Sequence, residues 1–321
     1  MTQAARQQGG VRHVEAAAGD EGQRIDNILL RELIGVPRSR IYRLLRRGEV
    51  RVNGRRVKAA YRLESGDAVR LPPVRVAEAG VPLPAPGWII ENVNNSIIYE
   101  SKLILAVNTP AGIAVHGGSG ISHGVIEALR AGRPAERELE LVHRLDRDTS
   151  GVLLVARRRS ALRRLHELLR EGRADKRYLA LVCGRWRRDR IEVSVPLRKN
   201  VQRGGERVVR VDPGGKPSRT AFRVVRRFAD TMLVEARLHT GRTHQIRVHA
   251  QHLGTPIAGD TRYGDDEANR RLAAIGCKRL FLHATSMSFP WGDPARPLTI
   301  EAPLDDELGG LLDRLAAVLS D

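Results

Sequence analysis

Apolar residues recur along this chain with two different periods, and the switch between them marks its elements. From residue 24 to 48 the spacing is helical. Ile25, Ile28 and Leu29 share one face of a short helix, while Ile41, Leu44 and Leu45 form the buried stripe of a second. Ser39 is placed to cap that second helix and Gly48 to end it. From Glu49 to Val57 apolar and polar residues alternate around Asn53-Gly54, the strongest short-range signal of a two-residue hairpin turn. The Gly66-Asp67 turn before Val69-Arg70-Leu71 completes a small sheet. Pro72, Pro73, Pro82, Pro84 and Pro86 follow, a spacing that predicts a semi-rigid tether.

Past the prolines the period-2 signal dominates. Residues 97–99, 103–107, 139–142, 152–156, 178–182, 221–228, 232–238 and 280–283 read as strands. Residues 160–171 read as a helix burying Leu162, Leu165, Leu168 and Leu169, and a final helix is expected over 305–319. Without a regular βαβ rhythm, the pattern predicts an α+β protein: a small basic αβ domain followed by a mixed, largely antiparallel-sheet domain. The expected division is a disordered tail over 1–19, a basic domain over 20–75, a Pro-rich linker over 76–95 and a second domain over 96–321.

Composition narrows the partners. With 41% hydrophobic residues in 321 the chain can build ordinary cores, and 55 Lys and Arg against 37 acidic residues give a net charge of +18. That imbalance points to a polyanion, nucleic acid first. It concentrates in the first domain: between residues 38 and 58, nine Lys and Arg stand against one glutamate. A membrane surface competes poorly, because no apolar run approaches the ~20 residues of a spanning helix and the N-terminus lacks the apolar core of a secretory signal. Two cysteines without a C-x-x-C pair fit a reducing cytoplasm. His244, His249 and His252 invite a metal reading, but no H-E-x-x-H pattern or cysteine cluster accompanies them, so no metal is expected. A monomer is expected.

The chemistry concentrates in the run Leu141-Val142-His143-Arg144-Leu145-Asp146-Arg147-Asp148-Thr149-Ser150-Gly151, a polar loop between two apolar strands. Loops so placed carry function more often than packing. The plainer alternative makes Asp146 and Asp148 surface turn residues paired with Arg144 and Arg147.

Four segments together argue for the functional reading. PAGIAVHGGSG at 110–120, HRLDRDTSG at 143–151, KRYLALV at 176–182 and TGRTHQIRVH at 240–249 together resemble the RluA/RluC-type pseudouridine synthases. The HGGSG variant and the HRLDRDTSGVLLVA string are similar to the RluC branch, which modifies uridines of large-subunit (23S) ribosomal RNA. The basic domain resembles the alpha-L RNA-binding domain, in which the second helix and the hairpin hold the phosphate backbone. Arg38, Arg43, Arg46, Arg47, Arg51 and Arg55 are its candidate RNA contacts. The partner implied is 23S rRNA or a large-subunit assembly intermediate, with a part in ribosome biogenesis.

The resemblance implies an isomerase that breaks the bond between ribose and a uracil nitrogen, rotates the base and rejoins it through carbon, with no cofactor. Asp146 matches the catalytic aspartate. It can add to base or sugar, or remove a sugar proton, and the sequence does not choose. A pocket closed on a flipped base would desolvate such a carboxylate, so a fixed cation is required, and the family match makes it Arg247, on a helix beginning near Thr243 and ending before Gly254. Tyr178 matches the active-site tyrosine, and Arg144 the arginine that fills the gap left by the flipped nucleotide. Arg147, Arg242 and His249 are taken as supporting or RNA-contacting residues.

The chain departs from the family at Thr109, where a lysine is usual, and at Ser101, where an acidic residue is usual. Two rivals remain. A serine hydrolase built on Ser119 lacks the second glycine of a G-x-S-x-G elbow, because Ile121 occupies that position. A non-catalytic rRNA-binding or assembly factor would have no need of Asp146, Tyr178 and Arg247 together.

Overall fold

The computed structural model describes residues 10–33, 36, 38–74, 85–117, 123–136, 138–203 and 206–317. Residues 1–9 of the expected tail, 75 of the expected basic domain, 76–84 of the expected linker, and Ser119 lie outside the described residues. The chain divides into two compact units, Met1–Pro84 and Ala85–Asp321.

In the first unit, strands β1 (Arg12–Glu15), β2 (Arg51–Val52), β3 (Arg55–Arg56) and β4 (Ala68–Leu71) form an antiparallel sheet in the order β1-β4-β2-β3, with helices α1 (Ile25–Glu32) and α2 (Arg38–Arg47). The helical stripes expected from spacing meet here: Ile25, Ile28, Leu29, Ile41, Leu44 and Leu45 bury against Val52, Val69 and Leu71. Asn53 and Gly54 have φ of 48° and 76°, the left-handed pair that a mirror-image two-residue turn demands. Asp67 secures the hairpin, accepting from Asn53 Nδ2 at 2.7 Å, the Tyr61 hydroxyl at 3.1 Å and the Glu64 N–H at 2.9 Å. Two expectations need correction. Residues 12–15 are no tail but strand β1, paired along its length with β4. Helix α2 begins at Arg38, so Ser39 lies in its first turn and not at its cap.

The second unit begins with another correction: residues 87–95 are not linker but helix α3 (Gly87–Asn95), with Pro86 at its N-cap. The remaining elements are strands β5 (Ile97–Glu100) and β6 (Ile104–Thr109), helix α4 (Val125–Gly132), β7 (Glu140–Leu141), β8 (Ser150–Ala156), α5 (Arg159–Arg170), β9 (Asp175–Cys183) and β10 (Arg190–Ser194). They continue through the hairpin β11 (Leu197–Arg203) and β12 (Glu206–Val211), then β13 (Arg219–Arg227), β14 (Thr231–Leu238), α6 (Gln245–His252), α7 (Asp266–Ala274), β15 (Leu282–Trp291), β16 (Asp293–Glu301) and α8 (Asp306–Ala317). One sheet runs β10-β13-β14-β9-β15-β8-β6-β5, with β16 on β15 and β7 on β8. Among the described strands only β8 and β15 pair in parallel, so the sheet is largely antiparallel, as the missing βαβ rhythm implied.

The centre of this sheet explains its sequence. Strands buried on one face alternate, whereas strands buried on both read as continuous apolar runs. On β8, Leu153 and Val155 enter one core while Val152, Leu154 and Ala156 enter another. Neighbouring β6 does the same with Leu105 and Val107 against Ile104 and Ala106. The polar HRLDRDTSG loop therefore leads into a strand every residue of which is buried.

Candidate active site

The loop between β7 and β8 is held by both of its sides. Leu145, 6% exposed, anchors it in the core, and its backbone is fixed by Thr149 N–H to Asp146 O at 2.9 Å and Gly112 N–H to Arg147 O at 2.8 Å. The Leu154 N–H donates to His143 Nε2 at 3.1 Å, so that nitrogen carries no proton. Burial, with Lys176 nearby, pushes the His143 pKa down to about 4, which keeps the ring neutral. Gly151 closes the segment at φ 109°, and a Cβ there would stand 2.3 Å from the Ala284 carbonyl oxygen. The close parallel pairing of β8 with β15 thus requires the glycine.

A cleft of about 530 Å³ opens over this loop, lined by Arg144, Asp146 and Asp148 of the loop together with His116, His244 and Arg247. Asp146 and Asp148 differ sharply. The Asp148 side chain is 55% exposed and 4.0 Å from Arg147, whereas Asp146 is 33% exposed with its Oδ2 3.9 Å from His244 Nε2. The charge of Asp146 is also felt by Tyr178 and Arg247. The carboxylate of the motif is thus the one tied electrically to the other candidates.

Arg247, on α6, meets Asp260 first. Its Nε and Nη2 each donate to one Asp260 oxygen at 2.7 Å, with side-chain exposures of 5% and 0%. Arg247 is thus locked bidentately on Asp260, and its interaction with Asp146 is electrostatic. Burial opposes its charge, but the hydrogen bonds and charge of Asp260, with that of Asp146, outweigh this and raise its pKa. Asp260 is depressed in turn, burial being outweighed by Arg247 and by the N–H groups of Arg262 and Tyr263. A pair this well bonded supplies a fixed field and does not reorganise with solvent.

Tyr178, on β9, is 9% exposed and not part of the cleft lining. Burial, and then the charge of Asp146, raises its pKa, so the phenol keeps its proton. It is available as a hydrogen-bond donor.

Three residues were not found by sequence reasoning: Asp260, Tyr263 and, as a site residue, His244. Asp260 and Tyr263 follow α6 in a turn without apolar periodicity. His244 was grouped with the histidines of its segment, which the structure separates. His249 is fully buried, donating through Nε2 to Ser218 Oγ and accepting at Nδ1 from Thr220 Oγ1, both at 2.9 Å, with a pKa lowered by burial to about 4. It is a core residue. Arg242 holds the Pro217 carbonyl at 3.1 Å. Thr109 is 1% exposed with its hydroxyl lacking a hydrogen-bond partner among the described residues, and Ser101 caps a turn by accepting the Ile104 N–H at 3.1 Å. No group of His, Cys, Asp and Glu among the described residues is arranged to hold a metal.

Known proteins show the same combination. The sequence matches the RNA pseudouridylate synthase family over residues 103–252 and the S4 domain over residues 23–69. It is 55% identical over 308 residues to ribosomal large subunit pseudouridine synthase C of Escherichia coli O157:H7, covering 95% of this chain and 97% of that protein. The protein of the same name from Pasteurella multocida (strain Pm70) is 52% identical over 306 residues, 95% of this chain and 94% of the other. Among solved structures, human RNA pseudouridylate synthase domain containing 1 aligns with a TM-score of 0.58 at 27% identity, covering 72% of this chain and 96% of that one.

Proposed function

Because the chain belongs to the RNA pseudouridylate synthase family and is a pseudouridine synthase, we propose that it converts specific uridines of large-subunit ribosomal RNA to pseudouridine, with Asp146 as the catalytic carboxylate. The substrate is supported by relatives named for the ribosomal large subunit that match nearly the whole chain. The observation that carries the role of Asp146 is its position: it lines a cleft facing His244, and its charge reaches both Arg247 and Tyr178.

A uridine inside RNA is stacked, so its glycosidic bond is reached only by swinging the nucleotide out. Arg144, exposed on the cleft wall, fills the vacated place in the stack or holds a flanking phosphate. Asp146 then acts on base or sugar to release the ring nitrogen. The Tyr178 phenol, kept protonated, donates a hydrogen bond as the base rotates and rejoins through carbon. Arg247 with Asp260 sets the potential in which the carboxylate works. The S4 domain, through Arg38, Arg43, Arg46, Arg47, Arg51 and Arg55, holds the RNA backbone. The protein works as a monomer in the cytoplasm, on free rRNA or on an assembling particle, and among the described residues no helix is long and apolar enough to cross a membrane.

The test is to delete the gene, map pseudouridines across ribosomal RNA, and restore either the wild type or Asp146→Asn. Sites that vanish on deletion and return only with the wild type are the substrates. Return of the same sites with Asp146→Asn, or loss of none on deletion, overturns the reading.

A further inference from the structure

The carboxylate of Asp146 has a close side-chain neighbour in His244. His244 stands at the N-cap of α6 in the left-handed region, φ 53°, a conformation uncommon for a residue with a side chain. It aims Nε2 at Asp146 Oδ2, 3.9 Å away, and Nδ1 at the Tyr263 hydroxyl, 2.7 Å away. Tyr263 is in turn fixed: its oxygen accepts the backbone N–H of Val209, from β12, at 3.0 Å, its ring packs edge-on to His244 with centroids 5.4 Å apart, and it is 3% exposed.

The directions of these bonds favour one tautomer of the histidine. A backbone N–H can only donate, so the Tyr263 oxygen is the acceptor from Val209 and its own proton is free to point at His244 Nδ1. The groups facing the imidazole are Asp146, Arg247, Arg262, Asp260 and Tyr263. Burial disfavours imidazolium, and Arg247 and Arg262 add to this against the attraction of Asp146 and Asp260, so the ring is held neutral. A neutral ring that accepts at Nδ1 must carry its proton on Nε2, the nitrogen facing the carboxylate.

We propose that His244 is a positioning residue for this reaction: its Nε2–H, presented by the Val209–Tyr263–His244 chain, orients the Asp146 carboxylate for attack on the flipped nucleotide. The separation of 3.9 Å exceeds a hydrogen bond, so the contact closes when RNA enters and water leaves the cleft. The arrangement also makes the backbone of the β11–β12 hairpin part of the support of the site, through Val209, so displacement of that hairpin would release the tautomer. The proposal rests on Asp146 being the catalytic carboxylate.

The experiment is steady-state tritium release from large-subunit ribosomal RNA transcribed with 5-tritiated uridine, using the full chain. His244→Leu removes the donor and should lower kcat on the order of 10²-fold while KM for RNA stays within about twofold, as expected for a misplaced reacting group. His244→Gln, which can present an amide N–H near the Nε2 position, should recover at least about tenfold of that loss. Tyr263→Phe keeps the histidine but frees its tautomer, and should lower kcat on the order of tenfold. A kcat at wild-type level in both His244→Leu and Tyr263→Phe, a loss confined to KM, or a Gln variant no better than Leu overturns the proposal. If His244→Leu fails to fold, Tyr263→Phe alone carries the same decision. Turnover surviving in Asp146→Asn is a separate result, which removes the catalytic carboxylate and not merely its positioning residue.

Discussion

Two sets of cations, one in each unit, hold positive charge in contrasting ways. In the first, Arg43, Arg46 and Arg55 are exposed and have no ion pair among the described residues. In the second, the central cation Arg247 is 5% exposed and held at 2.7 Å by each oxygen of a fully buried Asp260. Unpaired surface cations cost little to keep in water and release counterions when they meet a polyanion, so they add affinity without fixing geometry. A paired, buried cation adds nothing to affinity, but its field does not relax while charge moves on a substrate. The first unit is therefore suited to holding RNA and the second to orienting one nucleotide.

The sharpest test of that contrast lies within the cleft. Asp146→Asn should lower turnover by ~10³-fold or more, the upper range for a group that reacts directly, while RNA affinity changes little. Asp148→Asn, one turn of loop away and 55% exposed, should stay within about threefold. Single-turnover rates and filter binding on the same RNA separate the two outcomes, and comparable losses at both positions would mean that the loop acts through its total charge.

Next in size is the buried pair. Asp260→Asn leaves Arg247 charged and half-bonded in a site with almost no solvent, and should destabilise the catalytic unit by about 3 to 5 kcal/mol, read as a fall in the denaturant midpoint. Arg47→Ala in the first unit removes a contact of 3.9 Å to Glu49 between side chains 69% and 41% exposed, and should change stability by less than about 1 kcal/mol.

What the sequence made legible follows the same division between local and distant causes. The Asn53-Gly54 turn was readable because two adjacent residues determine it, and the HRLDRDTSG loop because the apolar runs around it are contiguous. Asp260 was not readable, because its meaning depends on Arg247 thirteen residues earlier and on a turn that brings them together. Strand β1 was missed because Arg12-His13-Val14-Glu15 has a single apolar residue, and its pairing with β4 is long-range. Helix α3 was hidden by the prolines before it, although Pro86 sits at its start, where a proline costs a helix nothing. The β11–β12 hairpin escaped because it is rich in arginine and the cluster of its buried Leu197, Val208 and Val209 is completed from outside it, by Val248 of α6 and by Tyr263.

Acid should discriminate between the units as well. His143 and His249, both in the catalytic unit, have pKa values lowered from 6.5 to about 4, and His283 is lowered by burial too. Because the folded values lie below the unfolded ones, their contribution is fully present above pH ~6.5 and is lost as pH falls toward ~4, by up to roughly 3 kcal/mol for each of the first two. Denaturant unfolding followed between these limits should show the catalytic unit weakening, and His249→Gln should flatten part of that slope. An unchanged slope would mean that the histidine is already charged in the fold.

The smallest effect concerns the first unit and bears most directly on its role. If its arginines act as free charges on a phosphate chain, replacing Arg43, Arg46 and Arg55 together by alanine should make the plot of log affinity against log salt shallower by about 2 to 3, near 0.7 to 0.9 for each lost phosphate contact. Affinity at moderate salt should fall by about tenfold, while kcat at saturating RNA should not move, because none of the three belongs to the unit that holds Asp146. Arg51 and Arg56 behave differently: Arg51 reaches the Gly48 carbonyl at 3.3 Å and Arg56 the Arg47 carbonyl at 3.2 Å, so removing either perturbs the turn after α2 as well as the charge. Their loss should therefore lower stability along with affinity. A triple variant that kept the wild-type salt slope would transfer the electrostatic contact to the catalytic unit, where α5 alone carries Arg163, Arg164 and Arg170, and would leave the S4 domain to recognise the shape of its RNA site and not its charge.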